Sequence, residues 1–353
     1  MKKILLLMAL CVSMFMARAS TVYVDVAATG SGDGASWANA HTTINAALTA
    51  ATVGDNIWVK AGVYEITAQL PIKDGVSIYG GFAGTELSID DRAKSDLDGN
   101  GTVDPWEYSN ASIIKATATF NYMIDGIVTT KTVLDGFTFT NHTGAQSAVF
   151  IRNNFELRRC IFANNNIAGA SSGYTVYGVL NIMDGAIASE CLLENNAVNA
   201  INKPVYGAIV ALRNAGSILK NSVIRNNKAI ANGQQIRGVT MYLNNGGIAY
   251  NNLIYNNSGV QGSSTAAQGA VYLDNGGGVN YFINNTVVNN FSETGNSIRI
   301  NNTNAYVINS VLAESGTANT GGTGVVGLHY YNCAFSATTT HDNVKDAVVL
   351  NSL

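Results

Sequence analysis

Charge is what this chain has least of. Of its 353 residues only 12% are Asp, Glu, Lys or Arg, where roughly a quarter is usual. The formal net charge is −3, so the basic footprint of a nucleic-acid partner is missing. Neutral or weakly charged glycans are not excluded on that ground. Cysteine is scarce, with 4 residues and none in a zinc-ligand spacing. Proline is rarer still, with 3. The histidines His41, His142, His329 and His341 are scattered, and no serine motif accompanies them. Glycine and asparagine are abundant instead, with 36 and 43 residues. That profile suits an elongated β stack whose turns use amides and glycine where globular domains use charge.

The first 19 residues read as a secretion signal, with basic Lys2 and Lys3, an apolar run from Ile4 to Met16 and a small-x-small site ending at Ala19. The apolar run falls short of the roughly 20 residues of a membrane span, and no later segment supplies one. The mature chain is therefore expected to be exported and soluble, extracellular or on an outer cell surface, and a monomer is expected. Cys160, Cys191 and Cys333 remain after cleavage.

A six-residue unit recurs down the chain. Its copies begin at Cys160, Cys191, Ser222, Asn252 and Asn285, and each ends in an Asn-Asn pair. A weaker copy begins at Phe137, and fainter ones near Ser310 and Cys333. Spacings of 23 to 33 residues signal stacked units, none of which can bury its apolar face alone. Most repeats carry a second strand, as at Gly178, Gly207, Gly238 and Gly269. β-branched and aromatic residues dominate, and Asn-Asn or Gly punctuates every run, which disfavours helix pairs. The predicted fold is all-β, a right-handed parallel β-helix. The Asn pairs stack coil on coil as an internal scaffold rather than a binding site. The cysteines share one inward column as small buried side chains. Residues 43–51 read as a short amphipathic helix capping the open end of the stack.

Residues 21–84 carry a recognisable pattern: Tyr23-Val-Asp, Gly34-Ala-Ser-Trp37, Gly54-Asp55-Asn-Ile-Trp58, Ala61-Gly62-Val-Tyr64 and Val76-Ser-Ile-Tyr-Gly80-Gly. It resembles the N-terminal segment of secreted right-handed parallel β-helix proteins of the pectate-lyase-like superfamily. The repeats look like those of Bacteroidetes-type surface proteins with polymorphic-outer-membrane-protein-like repeats. The resemblance implies the fold and export. Superfamily members include polysaccharide lyases, glycoside hydrolases and adhesins, so it does not choose a function. The expected organisation is a signal at 1–19, a cap and first coils at 20–84, an insertion at 85–111 and coils at 112–353. No clear C-terminal cap follows Val348, as expected of part of a longer protein.

The insertion holds the strongest local motif. Asp96, Asp98, Asn100, Gly101, Asp104 and Glu107 stand at positions 1, 3, 5, 6, 9 and 12 of an EF-hand-like loop, a spacing that wraps backbone around one Ca2+. Side-chain oxygens of Asp96, Asp98 and Asn100, the carbonyl of Thr102, Asp104 and a bidentate Glu107 are the expected ligands. The loop is expected to lie away from the repeats and to pin the insertion.

Strand alternation offers a second candidate. If Val149, Ile151, Val210, Leu212, Met241, Leu243, Val271 and Leu273 point inward, one outward column reads Phe150, Ile182, Ala211, Tyr242, Tyr272, Arg299. The other reads Arg152, Asp184, Arg213, Asn244, Asp274, Asn301. Tyr242, Asn244, Tyr272, Asp274 and Arg299 are the candidate surface for an extracellular polysaccharide or cell-surface glycan. A glycan-binding or adhesive scaffold is the preferred reading. The alternative is a polysaccharide lyase or glycoside hydrolase, with Arg152, Asp184 and Arg213 as weak catalytic candidates. Glycosidases need paired carboxylates about 5–10 Å apart, and Asp184 and Asp274 sit three coils, roughly 14 Å, from each other.

Overall fold

A computed structural model describes residues 19–169, 175–261, 267–293, 296–301, 304–313, 317–319, 330–331, 333–336, 344–345 and 348–350. The expected export signal, except Ala19, lies outside the described residues, as do His329 and His341. Among the described residues, no helix is long and apolar enough to cross a membrane.

The chain winds as a right-handed parallel β-helix. Its described strands form 18-stranded, 11-stranded and 5-stranded parallel faces and a 2-stranded ribbon. One coil shows the plan. Leu180–Met183 runs along the large face, which bends at Asp184 and Gly185 and continues as Ile187–Ser189. Leu192–Glu194 lies on the second face and Ala197–Ile201 on the third. Each strand pairs in register with the coils before and after it, as Leu193 does with Phe162 and Ile224. Inward columns are therefore continuous. Ile114, Phe139, Phe162, Leu193, Ile224, Ile254, Val287 and Leu312 form one, and all are buried.

The two asparagines of each repeat have separate tasks. The first bends the chain: Asn164, Asn195, Asn226, Asn256 and Asn289 have φ between 51° and 58°, a left-handed conformation that Asn tolerates better than most residues. The second is buried and forms an amide ladder. Asn165 donates to Asn196, Asn196 to Asn227, Asn227 to Asn257 and Asn257 to Asn290, at 2.8–3.0 Å. A second ladder runs from Ser222 through Asn252 and Asn285 to Ser310. Cys160 and Cys191 stand above it as buried free thiols, and burial pushes the Cys191 thiol up to about 12.

The helix Ile44–Ala50 covers the first coils with Ile44, Ala47 and Leu48, and the Thr43 hydroxyl caps it by accepting from Ala46 N. The insertion leaves the body after Gly80 and Gly81. A Cβ on Gly81, whose φ is 90°, would lie 2.8 Å from the Tyr108 ring. The insertion is anchored by Arg92, which donates to buried Asp135 and packs its guanidinium 4.5 Å from the Tyr108 ring centroid. Arg158, Arg159 and the Tyr108 hydroxyl also donate to Asp135.

Candidate calcium loop and aromatic–arginine face

Backbone turns shape the insertion's acidic loop. Asp96 accepts from the amides of Gly99, Asn100 and Gly101, Asp98 from Asn100, and Asn100 from Thr102. Glu107 is only 3% exposed and accepts from Leu97, Asp98 and Asp104. Ligand atoms of Asp96, Asp98 and Glu107 lie within 4.8 Å of one another. Asp104 is outside that group and meets Asn100 Nδ2 at 3.5 Å. Burial pushes the Asp104 carboxyl above its ordinary value, and the nearby Glu107 and Asp98 charges push the same way. An all-oxygen set crowded with like charge fits a hard divalent cation. One expectation is corrected: the loop is not remote from the repeats. Asp98 meets Arg225 at 3.4 Å, and Arg225 also pairs with Glu194 at 2.8 Å. The insertion is folded back onto the second face, because Arg92 and Asp135 tie down its base.

The large face carries the other candidate. Phe150, Asn181, Ala211, Tyr242, Tyr272 and Arg299 share an outward column, and Arg152, Met183, Arg213, Asn244 and Asp274 share the next. This corrects two sequence assignments. Ile182 points into the core, and Asp184 stands past the strand with φ 56°, where it accepts from Asn214. It does not lie between Arg152 and Arg213. The cause is the distance from glycine to strand, which is two residues at Gly178 and three at Gly207. A slip of one residue exchanges the faces of a strand.

The Tyr242 and Tyr272 platform is corrected too, because both are buried, at 4% and 2% exposure. The chain preceding each repeat glycine folds over this column. Val205–Tyr206 pairs with Ile236–Arg237, flanked by bridges to Val176 and Gln268. Tyr206 stacks on Tyr242 with centroids 5.1 Å apart. Asp274, 5% exposed, accepts from Arg237, Tyr242 and Asn301. Desolvation, then the Asp274 charge, raises the Tyr242 hydroxyl well above its usual range. Asn244 and Arg299 stay half-buried.

What remains accessible is a row of guanidiniums on aromatic rings. Arg152 lies 4.1 Å from the Phe150 centroid and pairs with Asp125. Arg213 lies 3.8 Å from the Tyr177 centroid and 5.6 Å from that of Phe150. Arg237 lies 4.9 Å from the Tyr206 centroid. Neither Arg213 nor Arg299 has a carboxylate partner among the described residues; Arg213 donates only to Asn181 at 3.1 Å. Sequence reasoning missed Tyr177, Tyr206 and Arg237. A signal was present, since each immediately precedes a repeat glycine: Gly178, Gly207 and Gly238.

This face holds no close acid pair among the described residues. Asp125 and Asp274 are five coils apart, roughly 24 Å, and both are engaged by arginines. His142 is buried and bonded to the Gln146 carbonyl. A cavity of about 600 Å3 between the capping helix and residues 63–70 has one acidic residue, Glu65, paired with Lys115.

No protein family and no curated protein matches the chain. A solved structure described as the Agl-KA catalytic domain is similar over 95% of this chain and 67% of that one, with 14% identity and a TM-score of 0.28. A likeness this distant carries no argument about chemistry.

Proposed function

We propose that the protein is an exported β-helix scaffold that binds an acidic glycan along the aromatic–arginine face, with calcium pinning its insertion. The observation that carries this reading is the row Arg152, Arg213, Arg237 and Arg299 on or beside stacked rings, two of these without a carboxylate partner among the described residues. Aromatic packing holds the guanidiniums extended, so they lose little freedom on binding a carboxylate or sulfate. Arg152 and Arg213 are two coils, about 10 Å, apart, a separation suited to successive acidic groups of an extended chain. The resemblance of residues 21–84 to secreted β-helix proteins supports the extracellular setting. Binding is preferred to hydrolysis because this face has no close acid pair among the described residues.

Titration of a uronic-acid polymer tests this. Arg213→Met, which keeps the aliphatic stem, is expected to weaken binding about tenfold, the scale of one charge-assisted hydrogen bond. Unchanged affinity in Arg213→Met and in Arg152→Met sinks the reading.

The calcium part has its own measurement. Calorimetric titration is expected to find one Ca2+ per chain, and Glu107→Gln to abolish it. At a hundredfold excess over Kd, calcium should stabilise the protein by about 2.7 kcal/mol against chelator. A wild-type protein with no calcium heat and no such shift overturns this assignment.

A further inference from the structure

Beyond its bend at residues 184–185, the large face changes character. Ile187–Ser189, Ile218–Lys220, Ile248–Tyr250, Asn280–Ile283, Ala305–Ile308 and Tyr330–Tyr331 pair in register. Ala188, Leu219, Ala249, Phe282 and Val307 point inward and are buried. Alternation on a sheet with one solvated face places polar residues outside. Here the outer columns read Ile187, Ile218, Ile248, Tyr281, Tyr306 and, beside them, Ser189, Lys220, Tyr250, Ile283, Ile308, Tyr331. All but the buried Ser189 are half-buried, so each of these keeps some surface in water. Lys220 carries their only charge, and one coil earlier the same columns end the strip in Glu156 and Arg158. Tyr281 and Tyr306 lie 5.8 Å apart by ring centroids, and Tyr306 and Tyr331 6.0 Å.

We infer that this strip is a second binding surface, distinct from the aromatic–arginine face, and that it takes a neutral polysaccharide chain lying along the solenoid axis. Size argues against a second copy of the protein. Six strands span about 24 Å at ~4.8 Å per coil, and three residues span about 10 Å across. That is roughly 240 Å2, against about 800 Å2 per partner in a stable interface. A single glycan chain needs no more than this width. Charge argues for a neutral polymer, since one lysine at the edge offers nothing to successive acidic groups. The chemistry fits as well: isoleucine and phenol rings cover the apolar faces of sugar rings. Among the described residues the hydroxyls of Tyr250, Tyr281 and Tyr306 have no hydrogen-bond partner, which leaves them for sugar hydroxyls.

Affinity electrophoresis through gels containing soluble β-glucan, xylan or mannan tests the inference on the full chain. Wild type is expected to be retarded by at least one of them. Tyr281→Thr combined with Tyr306→Thr keeps strand-forming residues and should weaken that retardation about tenfold or more. Tyr281→Phe with Tyr306→Phe keeps the rings and should retain part of it, while Arg213→Met should leave it unchanged. The inference is overturned by no retardation in any of these gels, or by equal loss in Arg213→Met. It is also overturned if light scattering shows a dimer that the threonine variant converts to monomer.

Discussion

Asp135→Asn is expected to cost about 3–5 kcal/mol of unfolding free energy, the range for breaking a buried ion pair from one side. The Asp135 carboxylate is 0% exposed and collects Arg92, Arg158, Arg159 and the Tyr108 hydroxyl. Arg158 and Arg159 have second carboxylates nearby, in Glu156 and Glu190. Arg92 has none among the described residues, and its side chain is buried under the insertion. Asparagine keeps the shape and one acceptor but leaves Arg92 as an uncompensated buried cation. Urea unfolding measures the loss, and hydrogen exchange at residues 88–108 should rise because Arg92 ties that segment down. A loss below about 1 kcal/mol, within the range of a surface pair, contradicts the assignment. Burial alone would raise the Asp135 carboxyl, but the arginines outweigh it and hold it below its ordinary value. A depressed carboxylate stabilises the fold above its unfolded value near 4 and loses that contribution as pH falls through the folded one. Wild type should therefore lose stability on acidification below about pH 4, with less of that loss in Asp135→Asn.

Asn227→Ala is the second large effect, expected at about 3 kcal/mol or more. Asn227 Oδ1 accepts from the backbone and side-chain amides of Asn196. Its Nδ2 donates to the carbonyls of Leu193 and Arg225 and to Asn257 Oδ1. Truncation leaves several of these buried groups unpaired, at about 1–3 kcal/mol each before relaxation. The adjacent residue supplies the control. Asn226 is exposed with φ 57°, so Asn226→Gly should fall within about 0.5 kcal/mol of wild type, because glycine adopts that conformation freely. Equal effects at the two positions would contradict the division of labour within the pair.

That division shows what the sequence could convey. The stack and its inward columns were readable because every repeat places its apolar strand at a fixed distance from Asn-Asn. The two roles inside the pair were not, since composition does not reveal which amide takes positive φ. The capping helix at 43–51 was readable from Ile44, Ala47 and Leu48, and it runs over Ile44–Ala50. On the large face the glycine-to-strand distance varies by one residue, so counting from Gly178 put Ile182 outside when it is in the core. Tyr242 and Tyr272 do leave the strand on its outer side, as alternation requires. Their burial comes from the chain that carries Tyr206 and Arg237, a tertiary contact that strand periodicity does not encode. The acidic loop was legible as a spacing, whereas its contact with Arg225, 127 residues away from Asp98, was not.

The most direct test of the account is saturation binding of a uronic-acid polymer to the calcium-loaded chain at low and physiological salt, with ultraviolet absorbance followed in the same tube. The account predicts saturable binding that weakens as salt screens the guanidiniums, with the polymer recovered intact. Absence of binding at low salt would contradict it, and so would the appearance of unsaturated, ultraviolet-absorbing product.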